Sequence, residues 1–193
     1  VTDQFTVNGT LSWDGDQTLS TIDTLGSTST IEYTDAAGVA IQAWTYGNLK
    51  INRSGAAFTL PGNIDVDGDL TITTGTLDVT ASNHQLNIGG NYLNSAIFTS
   101  RTGTVIFDKA SATQTLNSGG VGVNEDFHHF HHSGSGTLQL ITSDLKINGA
   151  FTHSSGIFDA NTNAKAIDPV GAVSVTGGTL KAGVGNMTIT SLT

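Results

Sequence analysis

Apolar residues recur at every second position in short runs, as at Leu70 and Ile72 or Val173 and Val175, with Thr, Asp and Asn between them. Alternation of this kind predicts strands with one face buried and the other in water. The runs are separated by Gly-Gly, Asn-Gly, Asp-Gly and Ser-Gly steps, which are predicted to supply the positive φ of tight turns. With 24 Gly against 2 Pro and many β-branched residues, the chain favours strands broken by turns and disfavours long helices. The apolar positions continue along the whole length, so a disordered chain is excluded.

The runs also repeat. Asn63-Ile64-Asp65-Val66-Asp67-Gly68-Asp69-Leu70 matches Asp144-Leu145-Lys146-Ile147-Asn148-Gly149-Ala150-Phe151, with apolar residues and Gly in register at a separation of 81 positions. Gly75 and Leu77 answer Gly156 and Phe158 at that separation, and upstream Tyr46 and Leu49 answer Phe127 and Phe130. Thr30-Ile31-Glu32-Tyr33 resembles Thr104-Val105-Ile106-Phe107, and the stretch from Phe5 to Leu11 resembles that from Leu86 to Tyr92. The predicted organisation is one repeat domain over residues 1–193, duplicated at about 46–79 and 127–160, with a partial copy in 1–45.

Two architectures take many short alternating strands, an antiparallel β-sandwich or barrel and a parallel β-solenoid. Solenoids grow by duplicating long blocks and sandwiches do not need to. The expected fold is therefore all-β, a right-handed parallel β-helix, with the antiparallel β-sandwich as the alternative. Coils of roughly 20 to 25 residues would give about eight or nine turns and a rod on the order of 40 Å long.

Gly89-Gly90-Asn91-Tyr92-Leu93-Asn94-Ser95, Thr102-Gly103-Thr104-Val105-Ile106-Phe107-Asp108 and Ser135-Gly136-Thr137-Leu138-Gln139-Leu140 resemble the Thr/Gly/Asn-rich repeats of large secreted bacterial surface proteins. Those include adhesin-like, autotransporter-like and extracellular filament proteins. The resemblance is compositional and covers nearly the whole chain. It implies an extracellular or cell-surface β-helix and no particular activity.

Charge narrows the partners. The 7 Lys and Arg stand singly against 16 Asp and Glu, for a formal charge of −9. That disfavours nucleic acid and anionic membranes, both of which need clustered cations. No apolar run is long enough to span a bilayer as a helix. The chain starts at Val1 and reads as a mature or excised segment. Its lack of Cys removes disulfide and thiol chemistry and is compatible with bacterial export.

The sharpest local feature is Phe127-His128-His129-Phe130-His131-His132. Histidines two apart on a strand share a face, so His128, His129, His131 and His132 are candidate ligands for a transition metal such as Zn²⁺ or Ni²⁺, with Glu125 and Asp126 adjacent. The plainer reading is a variant strand in which Phe127 and Phe130 keep the core positions. Asp65, Asp67 and Asp69, with Asn63 and Gly68, resemble the start of a Ca²⁺ loop, but the twelfth place is Thr74 rather than Glu. Alternation with Ile64 and Val66 fits a solvated strand edge as well.

Asp14 with Asp16, or Asp65 with Asp67, would be the paired carboxylates of a polysaccharide-active enzyme, yet no distant cluster converges on them. No catalytic residue and no cofactor is assigned. Trp13, Trp44, Tyr33, Tyr46 and Tyr92 are a candidate sugar platform or core. Thr71-Ile72-Thr73 and Thr188-Ile189-Thr190 suggest a flat Thr array that does not span every coil.

The expected function is structural, a stiff extracellular rod or filament subunit. It would associate head to tail, or continue into further repeats of the same chain, because the repeat reaches from Phe5 to Ile189 without a capping helix. The alternatives are an adhesin-type module binding a glycan or surface, and then a polysaccharide-active enzyme.

Overall fold

The computed structural model describes residues 5–14, 24–184 and 187. Every strand pairing among them is parallel, which excludes the sandwich and makes the fold a β-solenoid. No helix is present among the described residues. The longest ladder runs through nine strands: Thr10–Trp13, Thr30–Tyr33, Asn48–Thr59, Leu70–Asp78, Tyr92–Asn94, Thr113–Asn117, Thr137–Leu140, Ile157–Asp159 and Thr179–Lys181. At ~4.8 Å per rung this stack is about 40 Å long. Stacked partners lie between 18 residues apart (Thr30 and Asn48) and 25 apart (Thr104 and His129).

A second face stacks Thr45–Tyr46, Ile64–Val66, Leu86–Ile88, Thr104–Phe107, His129–His132, Phe151–His153 and Val173–Val175. The third face is less regular. It is made by the far ends of Asn48–Thr59 and Leu70–Asp78 with Ile97–Thr99, and later by Leu145–Ile147 on Ile167–Pro169. Each complete coil is thus three-sided, and the sides begin six residues apart at Ile64, Leu70 and Thr76.

This geometry locates the 81-residue match. Ile64–Val66 lies on the second face, whereas its sequence counterpart Leu145–Ile147 lies on the third. Leu70 stacks on Tyr92 in the longest ladder, and its counterpart Phe151 stacks on Phe130 in the second face. What matches in sequence is a strand, a glycine corner and a strand, used at two different corners of the coil.

The alternation is confirmed at the residues that defined it. Leu70, Ile72 and Val173 are buried, Thr73 is exposed, and Phe127 and Phe130 are in the core with Tyr46 and Leu49. Trp13, Tyr33, Tyr46 and Tyr92 are buried, and Trp44 is half-buried with its ring 5.6 Å from that of Trp13. Tyr33 and Tyr46 share a hydrogen bond of 2.9 Å, Tyr46 donates to the Gln42 carbonyl at 2.6 Å, and Gln42 N–H donates to Tyr33 at 2.8 Å. Core packing, not a sugar platform, is therefore what these rings do.

The reason for the corner glycines follows the expectation at some corners and differs at others. Positive φ occurs, as expected, at Gly55, Gly119 and Gly156, each after a Ser, and at Gly178 after Gly177, but not at Gly68, Gly90 or Gly149. At Gly68 and Gly90 the constraint is close approach: a Cβ on Gly68 would sit 2.2 Å from the Gly47 carbonyl oxygen, and one on Gly90 would sit 2.2 Å from the Gly68 carbonyl carbon. Backbones stacked this tightly leave no room for a side chain.

Candidate functional site

A set of outward polar residues is occupied along the rod axis. The side-chain oxygen of Asn48 accepts the Asp69 N–H at 2.8 Å, that of Asp69 accepts the Asn91 N–H at 2.7 Å, and that of Asn91 accepts the Thr115 N–H at 2.8 Å. Asn63, Asn83 and Asp144 do the same for Gln85, Thr102 and Ala166. In all six the acceptor lies one coil before the donor. Backbone N–H groups left without a strand partner on that side, at corners and at Thr115 within its strand, are satisfied this way. The ion pairs Glu32 with Lys50, Asp78 with Arg101, Lys146 with Asp168 and Asp159 with Lys181 also join different coils.

The acidic run is accordingly divided. Asp69 is a rung of the ladder just described. Asp65 is half-buried and Asp67 exposed. Burial, then the charges of Asp67 and of Asp108 from a later coil, hold the Asp65 carboxyl above its ordinary pKa. Burial followed by Asp67 does the same to Asp108. Gly89 follows Ile88 in the column where Asp67 follows Val66 and Asp108 follows Phe107, so the two carboxylates stack with a side-chain-free residue between them. Asp16 and Thr188-Ile189-Thr190 lie outside the described residues.

The histidine run does not gather at one point. His128 precedes the strand His129–His132 and sets its ring edge-on to His129 at 4.5 Å. His129 Nδ1 accepts the Ala150 N–H at 3.0 Å. His131, on the same outward face, shares a 2.9 Å hydrogen bond with Ser154 Oγ. His132 turns inward beside Phe130. Among the described residues no three His, Asp or Glu side chains form a group that could hold a metal ion. Of the flanking acids, Asp126 is buried and accepts from Asn148, and Glu125 is half-buried in the preceding turn.

Inside the coil, His132 meets a residue that the sequence reading missed. His153 stacks directly on it, with the two Nδ1 atoms 3.1 Å apart and the ring centres 5.0 Å apart, so the nitrogens lie on facing edges. The two side chains are 1% and 0% exposed. His153 Nε2 faces the Thr179 backbone without a hydrogen bond of good geometry. Burial, then His153, then His131 depress the pKa of His132 to about 4. Burial above all also lowers that of His153 and His131. The available signal was an inward register shared by two histidines one coil apart.

The segment of residues 118–126 exposes Val121 and Val123, by 54% and 83%. Its base is tied down: Ser118 Oγ lies 2.9 and 3.0 Å from the Gly120 and Asp144 carbonyl oxygens, which share its one proton, and Glu125 and Asp126 N–H both donate to Gly122 O at 3.0 Å. No protein-family model, curated protein or solved structure matches the chain. Its functional reading therefore rests on the geometry.

Proposed function

We propose that the chain is a structural element, a stiff segment of an extracellular rod or filament built from stacked coils. The observation that carries this reading is the direction of its polar chemistry. Asx side chains and ion pairs reach from one coil to the next, which stiffens the axis. The longest ladder ends in strands Thr10–Trp13 and Thr179–Lys181, each with one described partner in that ladder. A further coil, of the same chain or of a second copy, would pair with them. No catalytic step is assigned. Negative-stain microscopy at rising concentration tests self-stacking: particles should lengthen end to end beyond one rod of about 40 Å. Uniform particles of single-rod length at every concentration would overturn it.

The exposed valines of residues 118–126 favour a second reading, a lateral contact with a surface or glycan. Because no Trp or Tyr is exposed, such contact would use this loop rather than aromatic stacking. Retention on immobilised glycans that is lost in a Val121→Asp, Val123→Asp double variant would support it. Equal retention by both proteins would count against it.

A further inference from the structure

The inward column of the second face reads Tyr46, Val66, Ile88, Phe107, His132, His153, Val175, each stacked on the next. Five of the seven are apolar or aromatic, and apolar side chains would fill the other two places without leaving polar atoms unpaired. Two titratable rings occupy consecutive rungs instead, both buried. With both rings neutral, one Nδ1–H donates to the other Nδ1 across the 3.1 Å gap. Two protonated rings would point N–H at N–H across the same gap. The first proton taken up would place an unpaired charge among Phe107, Phe158 and Val175.

We propose that the His132–His153 pair is an acid-sensitive joint: mild acid separates the two rings and loosens strand His129–His132 from strand Phe151–His153, while the coils before it stay stacked.

Among the described residues, the strands around the pair bring it no free carboxylate, and against the burial stands the Thr179 backbone, which favours a charged His153. Strand Thr104–Phe107 presents Phe107 to the pair. Strand His129–His132 contributes His131, which repels a second cation. Strand Ile157–Asp159 presents Phe158, and its own carboxylate, Asp159, is engaged by Lys181 and Thr162. Strand Val173–Val175 presents Val175. A histidine whose folded pKa is depressed binds protons more readily once released. Stability is therefore complete above the unfolded value near 6.5 and declines as pH falls toward about 4. For His132 alone, the opening equilibrium should rise about thirtyfold from pH 8 to pH 5. The carboxylates held low, Glu32, Asp78 and Asp159, respond only below their ordinary value of 3.8 to 4.5, and those held high, Asp65 and Asp108, act in the opposite direction, adding stability as pH falls.

Hydrogen exchange with residue resolution, corrected for the intrinsic pH dependence of exchange, tests this on the whole chain. Amides of 129–132 and 151–153 should lose protection about thirtyfold between pH 8 and pH 5, and those of Ile64–Val66 and Leu86–Ile88 should not. A His132→Phe, His153→Val double variant, which continues the neighbouring rungs, should abolish the change. As a check that needs no variant, the ring signals of the native pair should titrate well below 6.5, together with the loss of protection. Retained protection at pH 5, an equal loss in the double variant, or pair titration near 6.5 would each overturn the proposal.

Discussion

Residues 63–69 keep every carboxylate on the outer side of the coil, whereas residues 127–132 carry their last titratable side chain into the core. The first run obeys the alternation without exception: Ile64 and Val66 are buried and Asp65, Asp67 and Asp69 are not. In the second, His132 takes the inward place that Phe107 holds one coil earlier. The same backbone pattern thus carries opposite chemistry. Outside, a carboxylate is useful as an acceptor for the next coil. Inside, an imidazole is tolerated because a second one stacks on it.

The largest effect should come from breaking the alternation beside the acidic run. Ile72→Asp places an unpaired charge in the core and should cost about 4 kcal/mol. Thr73→Asp, one position on and exposed, should stay within about 0.5 kcal/mol. Thermal melts of both variants check this, and an inverted order would mean that the inner and outer faces of this strand are exchanged.

A smaller contrast lies in the glycines that the 81-residue match aligns. Gly68→Ala drives a Cβ against the Gly47 carbonyl oxygen at 2.2 Å, a backbone atom fixed in the stack, and should cost about 3 kcal/mol. At Gly149 the atoms met, at 2.8 to 2.9 Å, belong to the side chains of His128 and His129. Those rings can turn aside, so Gly149→Ala should cost only about 1 kcal/mol, mainly the bond from Ala150 N–H to His129. Urea titrations of the two variants would measure the difference. Equal losses would show that the histidine rings are held as firmly as backbone.

Much of the fold was legible because it follows from period two. The inward places of Leu70, Ile72, Phe127 and Phe130 and the stacking of coils needed only the alternation and the repeat. Which corner each block occupies was not legible. Strand, glycine and strand look alike at all three corners, and only the ladder shows that Leu145–Ile147 stacks on another face than Ile64–Val66. The glycines misled for a related reason: dipeptides such as Asp67-Gly68 suggest turn φ, while the steric demand comes from Gly47, a coil away. The roles of Asp69 and His132 were hidden likewise, since Asn91 and His153, their partners, lie one coil further along.

The smallest effect, and the one with the opposite pH response, belongs to Asp65. Its carboxyl is held above the ordinary value by burial and by Asp67 and Asp108, so the folded chain binds a proton there that the unfolded chain releases. Stability from this group is gained as pH falls through the raised value and reduced as pH rises past it, the reverse of the histidine pair. Asp65→Asn removes the repulsion while keeping the shape of the side chain. At neutral pH it should raise stability by a few tenths of a kcal/mol, since the site is partly open to solvent and screened. As pH falls below the ordinary value of 3.8, where the carboxyl is protonated in the folded and unfolded chain alike, the gain should fade. Melting the two proteins in parallel at pH 7.5 and pH 3.5, in low salt, separates the outcomes. A gain that persists in acid would trace to packing, and a loss at pH 7.5 would mean that Asp65 accepts a hydrogen bond worth more than the repulsion it suffers.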